Sequence, residues 1–259
     1  MAGDDRDFQR NSEEYRSYWS QRWRRTHTYP AQTKLKRFRS FAKPGERLGA
    51  GSPAVFDQGF GLGLMLFCFP RGSHLAGLEL NQTAVDGATQ EARRLGYTST
   101  DLRVFVPEAP LPAEWKGAFD VVVSSHVLEH LSDPAGGVRW LASLLKPGGS
   151  ACLVVPINEK PGEDQNHFSH FRVADFIQLV EANGFRVTDH HECDRLWHVY
   201  CPLAYSQQRH PTVPKRIASM SFNLLTAFLP AVALRMIDGF LGWFSVPTRQ
   251  VFVLCQKRA

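Results

Sequence analysis

The sequence predicts an α/β fold in which an open, mostly parallel sheet carries helices on both faces. Three observations predict it. From Val55 onward, short apolar runs bounded by turn residues alternate with segments of helical period. The first run ends in Asp57 and Gln58 and passes into glycines at alternate positions, Gly59, Gly61 and Gly63. The second run, residues 75–80, carries an acid at its end, Glu79, about 20 residues past that loop, where open α/β sheets bind ribose hydroxyls.

Residues 1–50 are polar and rich in arginine and aromatics, and the spacing of Tyr15, Tyr18, Trp19 and Trp23 puts an aromatic stripe on one helix with arginine opposite. This segment reads as a helical cap and linker over a ligand mouth with a solvated basic face; a patch for RNA or a membrane surface is the competing reading. The glycine loop suits close approach to a ligand, because positive φ and a missing Cβ permit it. The apolar residues from Leu64 predict a helix after the loop, whose N-terminus favours anions. A dinucleotide fingerprint wants its third glycine at Leu64, one residue beyond Gly63.

After Glu79 and Leu80, Asn81 caps a helix over 83–95 that Gly96 stops. Residues 102–106 make a third strand, followed by Glu108 and Ala109 among prolines. A fourth strand runs from Phe119 towards Ser124, Ser125 and His126, and Asp133-Pro134 starts the next helix. Residues 151–156 form a fifth strand, Val173 to Val180 recur at helical spacing, Asn183-Gly184 ends that helix, and a sixth strand starts at Phe185. The main domain spans 51–259, with an insert at about 195–247 before a last strand over 250–255. In the insert, Leu225, Leu229, Val232, Met236 and Phe240 form a stripe that reads as helical packing lidding the site. An interfacial helix over 221–246, or a greasy pocket, is the alternative.

With 259 residues and 43% hydrophobic content the chain can bury a full core. A net charge of +5 permits an acidic partner without indicating one. The five scattered cysteines lack any C-x-x-C pair, which suggests reduced thiols and no zinc site. Charged first residues and the lack of an apolar run of about 18 predict neither a secretory signal nor a membrane span. A cytoplasmic location is expected, peripheral at a membrane if the insert is interfacial.

Taken in order, these motifs resemble the class I S-adenosylmethionine-dependent methyltransferases, and within them the type-11 family of ubiquinone and menaquinone biosynthesis. Asp57 with its glycines resembles motif I; Phe119-Asp120-Val121 through Leu128-Glu129-His130-Leu131 resembles the fourth-strand segment; Leu145-Lys146-Pro147-Gly148-Gly149 resembles the turn before the fifth strand. The resemblance covers about residues 50–190. It implies a seven-stranded, Rossmann-like sheet with an antiparallel last strand, and S-adenosyl-L-methionine as methyl donor, leaving S-adenosyl-L-homocysteine.

The cofactor contacts so implied are Asp57, Gly59, Phe60, Gly61, Gly63, Glu79, Leu80, Glu108, Ala109, Ser124, Ser125 and His126. Glu79 suits the ribose because two adjacent hydroxyls can share its two oxygens. Glu108-Ala109 replaces the family's usual Asp-Ala, and Phe60, standing where a small residue is common, is expected to press on the methionine end. His167 and His170, on the polar loop 158–172 at the sheet edge that faces the acceptor, are the leading general-base candidates, with His126 the third. His130 reads as structural. No metal is expected, since Glu163 and Asp164 beside these histidines fit no ligand template. The predicted activity is methyl transfer by in-line displacement to a small-molecule acceptor, hydrophobic or glycan-linked, most simply on oxygen, in secondary-metabolite, glycan or lipid biosynthesis. Transfer to nitrogen or carbon, or a non-catalytic membrane-associated role, stays open. A nucleic-acid amine is disfavoured, because Ser124-Ser125-His126-Val127 lacks the N/D/S-P-P-aromatic motif.

Overall fold

A computed structural model of the protein describes residues 25–106, 112–159, 164, 166–204 and 212–258. The aromatic stripe at 15–23, Glu108, Ala109 and Glu163 lie outside them. Seven strands form one sheet: β1 (Ala54–Gln58), β2 (His74–Glu79), β3 (Thr100–Val104), β4 (Phe119–Ser125), β5 (Leu145–Pro156), β6 (Phe185–Cys193) and β7 (Gln250–Lys257). Their order is β3-β2-β1-β4-β5-β7-β6. Neighbours from β3 to β5 pair parallel, and β7 alone runs antiparallel, between β5 and β6. The expected class and the antiparallel last strand both hold.

Seven α-helices are described: α1 (Tyr29–Phe41), α2 (Gln82–Leu95), α3 (Pro134–Leu144), α4 (Val173–Ala182), α5 (Trp197–Ala204), α6 (Val213–Phe228) and α7 (Ala231–Trp243). Their ends follow local chemistry. The Asn81 side chain accepts from the Thr83 amide, Gly96 closes α2 at φ 87°, and the Asp133 side chain accepts from the Gly136 amide with Pro134 in the first turn. The central strands are buried on both faces, as parallel sheets are. Val122 on β4 faces α3 and α4 with Leu141 and Phe176, whereas Val121 and Val123 face α1 and α2 with Phe38 and Ala88.

Three expectations change. The helix predicted after the glycine loop is a run of turns and one 3-10 turn, Leu66–Cys68. Only a few residues separate Gly63 from Pro70, too few for a regular helix before the chain re-enters β2. The β5 pairing jumps from Leu145 opposite Phe119 to Ser150 opposite Val121, so residues 146–149 loop out as a bulge with Gly148 at φ 73°. The basic face of the N-terminal segment is not solvated throughout. Arg37 on α1 is 1% exposed and bridges Asp194 at 2.9 Å and Asp238 at 2.7 Å. Lys36 donates to the carbonyls of Thr226, Ala227 and Leu229, capping the C-terminus of α6.

Candidate cofactor and acceptor site

The strand order reverses between β1 and β4, and the crevice outside their carboxyl ends is where ligands sit in open α/β sheets. On one side, Gly59, Gly61 and Gly63 all have positive φ, at 67°, 50° and 70°. A Cβ on Gly59 would lie 2.5 Å from Val127 of the β4 loop, so close approach as well as conformation requires glycine there. Glu79, buried at the end of β2, accepts from the amides of Gly61 and Leu80, each at 2.7 Å. Burial raises its carboxyl above the usual range, and these backbone donors partly offset that.

Asp57 is 3% exposed and its carboxyl is raised well above normal by burial and by the charge of Glu79, with Lys34 opposing. Two acids and the glycine turn thus share one small volume at the ends of β1 and β2. The Phe60 ring, 5% exposed, is in the core against Gly77 of β2. The ring expected at the methionine end is tucked beneath the loop, because Gly77 leaves room for it.

On the other side, Ser124 is fully buried and donates to Gln58 at 2.9 Å, and the Ser125 hydroxyl is buried without a hydrogen-bond partner among the described residues. His126 takes φ 57°, a left-handed conformation that costs a non-glycine residue on the order of 1 kcal/mol and clusters at functional sites. Its Nε2 lies 3.2 Å from Gln250 Oε1, and its Nδ1 3.4 Å from Glu129 Oε1. Gln250 in turn donates to Asp194 at 3.3 Å, so its carbonyl oxygen faces His126 and the proton sits on Nε2. Burial first, then the charges of Lys34, His130 and His167, hold His126 well below the usual histidine range.

Glu129 is 0% exposed, and among the described residues neither carboxylate oxygen has a hydrogen-bond partner. Burial pushes its carboxyl up to about 8. A protonated Glu129 beside a neutral His126, whose Nδ1 lies 3.4 Å away, fits the direction of both shifts.

The acceptor-side loop is pinned to this pair. The Phe168 and Ser169 amides donate to the Glu129 carbonyl, and His130 Nδ1 bonds the Asn166 carbonyl at 2.9 Å, the structural role expected of His130. His167 Nδ1 lies 2.7 Å from Glu159, which also receives Arg249 at 2.7 Å. Burial lowers the His167 pKa, but Glu159, Glu129 and Asp164 outweigh it and leave it raised. His170 is more exposed, 3.9 Å from Glu159. Glu129, His130 and His167 each offer a ligand-type atom within 4.8 Å of the others, which makes them the group of described residues suited to hold a cation. Lys34, half-buried on α1, completes the site, and burial pushes it down to about 8 against the raising charges of Glu129, Asp194 and Asp57.

Sequence reasoning missed Lys34, Glu159 and Gln250 as parts of this site. Gln250 carried a signal, since a polar residue opens an otherwise apolar strand; Lys34 lay among many surface-type cations and carried none.

The profile of a methyltransferase-domain family matches residues 23–190, more than half of the chain. Ubiquinone biosynthesis O-methyltransferase from Marinobacter nauticus is 32% identical over 117 residues, 45% of this chain and 49% of that protein. The Ralstonia nicotianae protein of that name is 38% identical over 96 residues, 37% and 40% of the two chains. The alignments thus span about half the length of these relatives or less. Among solved structures, the cyclase SpnF superposes with TM-score 0.55 at 18% identity over 88% of this chain and 81% of its own. Geranyl diphosphate C-methyltransferase from Streptomyces coelicolor superposes with TM-score 0.54 at 14% identity, over 82% and 74%. At those identities the structures share the fold alone. Sheet order, glycine loop and family profile agree: the chain belongs to the methyltransferase-domain family.

Proposed function

We propose that the protein transfers a methyl group from S-adenosylmethionine to the oxygen of a small hydroxylated acceptor. Family membership supports the donor, and the names of the curated relatives support oxygen as the accepting atom. The observation that carries the reading is Glu129, a buried carboxylate without a hydrogen-bond partner among the described residues, beside a neutral His126 at the end of β4. Glu79 holds the ribose hydroxyls, and the glycine loop and Asp57 line the same side. When Glu129 has lost its proton, Glu129 and His126 together are the base. The acceptor O–H bond breaks to the pair as oxygen attacks the methyl carbon, and the carbon–sulfur bond breaks to leave S-adenosylhomocysteine. The sulfonium is already an excellent leaving group, so alignment provides several kcal/mol and the base roughly a hundredfold.

In this reading His126 is the better base, because His167 is biased towards its protonated form by Glu159. His167 and His170 instead position the loop, whose exposed Phe168 offers the acceptor an apolar contact. In this reading residues 1–50 are the cap and linker and residues 51–259 the transferase domain. Calorimetry with S-adenosylmethionine and S-adenosylhomocysteine tests the donor: micromolar to sub-millimolar binding is expected, and none at millimolar concentration would refute it. A panel of phenolic and isoprenoid hydroxyl compounds, read by homocysteine release, then tests the acceptor class.

A further inference from the structure

The pair of helices α6 and α7 has its polarity reversed relative to a water-facing pair. Its inner side, where Phe222 and Leu234 also pack, is held by polar contacts. Asn223 accepts from the Tyr29 amide at 2.7 Å, the Thr226 carbonyl accepts from Lys36, and Asp238 accepts from Arg37 and from the amides of Asp194 and Arg195. Its outer side is apolar. On α6, Val213, Ile217, Met220, Leu224 and Phe228 recur every three or four residues and are 60–81% exposed. On α7, Val232, Met236, Phe240 and Trp243 do the same at 54–88%. A soluble helix hides such a stripe, and large exposed apolar patches mark interaction surfaces.

The charges select the partner. Between residues 212 and 249 the exposed charges are Arg216 and Arg235, both cationic, whereas Asp238, an acid in that span, is buried against Arg37. Trp243 and Phe244, exposed at the end of α7, are side chains suited to the boundary between headgroups and acyl chains. No described helix is long and apolar enough to cross a membrane. We propose that α6 and α7 form a docking surface for an anionic lipid bilayer, lying in its interface with the two stripes towards the acyl chains and the arginines among the phosphates. The polar bolts to α1 hold the helices so that the stripes stay outward without a bilayer present.

Flotation of the full chain with vesicles tests this. The wild type is expected to float with vesicles of phosphatidylcholine containing roughly one-third phosphatidylglycerol, and less with phosphatidylcholine alone or in high salt. The double variant Phe228→Glu/Trp243→Glu should reduce flotation about tenfold or more, and Arg235→Glu by a smaller factor. Unchanged thermal melting and S-adenosylmethionine binding would show the variants folded. Failure of the wild type to float with anionic vesicles, or equal flotation of the double variant, overturns the proposal. So does a vesicle-independent dimer, by light scattering, that the double variant dissociates, since the face would then belong to a second copy.

Discussion

The carboxyl edge of the sheet and the α6–α7 pair use the same residue types in opposite ways. At the sheet edge, buried acids lack full pairing: among the described residues neither Glu129 carboxylate oxygen has a hydrogen-bond partner, and Asp57 sits beside Glu79. Under α6 and α7, the buried acids Asp194 and Asp238 are satisfied by Arg37, Tyr29 and backbone amides. Unsatisfied burial raises a carboxyl pKa and leaves it available for chemistry; satisfied burial makes a structural joint. The apolar side chains reverse as well, being buried along β4 and exposed along α6 and α7.

The largest expected effect tests the joint. Arg37→Ala leaves two carboxylates buried without their cation and should cost about 3–5 kcal/mol. Urea denaturation measures it, and a loss under about 1 kcal/mol would show the joint to be solvated in solution. Glu79→Ala tests the open edge. In the proposed reading this removes two charge-assisted hydrogen bonds to the donor, each contributing about 1.5 kcal/mol, so calorimetry should find S-adenosylmethionine binding weakened by about a hundredfold; undiminished binding removes Glu79 from the ribose.

Glu129→Gln should reduce turnover by about ten- to a hundredfold. In the wild type, turnover should rise with pH through about 8, the range to which burial pushes the Glu129 carboxyl, because the base form grows as the proton leaves. The variant should lose that rise, and an unaltered profile would remove Glu129 from proton transfer. Stability carries the opposite sign. A carboxyl whose folded pKa is raised binds its proton more tightly in the native state, so its contribution falls as pH rises from about 4 towards 8. Glu129→Gln should therefore melt a few degrees above the wild type at pH 9. The smallest effect sharpens the contrast: Trp243→Ser, at 88% exposure, should change stability by no more than about 0.5 kcal/mol.

Much of the fold was legible because its signals are local. Asn81, Gly96, Asp133 and Pro134 mark helix ends through contacts within a few residues, and the strands announce themselves as apolar runs between turns. The helix expected after Gly63 was misread because the apolar Leu64 to Phe67 carry no count of the distance to β2. The stripe at Leu225, Leu229, Val232, Met236 and Phe240 was legible as a stripe, yet it breaks between two helices at Leu229–Pro230 and faces outward, with four of its five members more than half exposed. Periodicity reports that a helix has two sides, and says nothing of which one meets the core.

By itself the sequence determined the parallel α/β architecture, the glycine turn with Asp57 and the acid at Glu79, since each depends on period, spacing or backbone stereochemistry within one strand–turn unit. Only the tertiary structure decided that His126 is held by Gln250, 124 residues away, and that Arg37 reaches Asp238, 201 residues away. Those partners, the raised carboxyl of Glu129 and the outward stripes of α6 and α7 follow from burial and neighbouring charge, which come into being when distant segments pack.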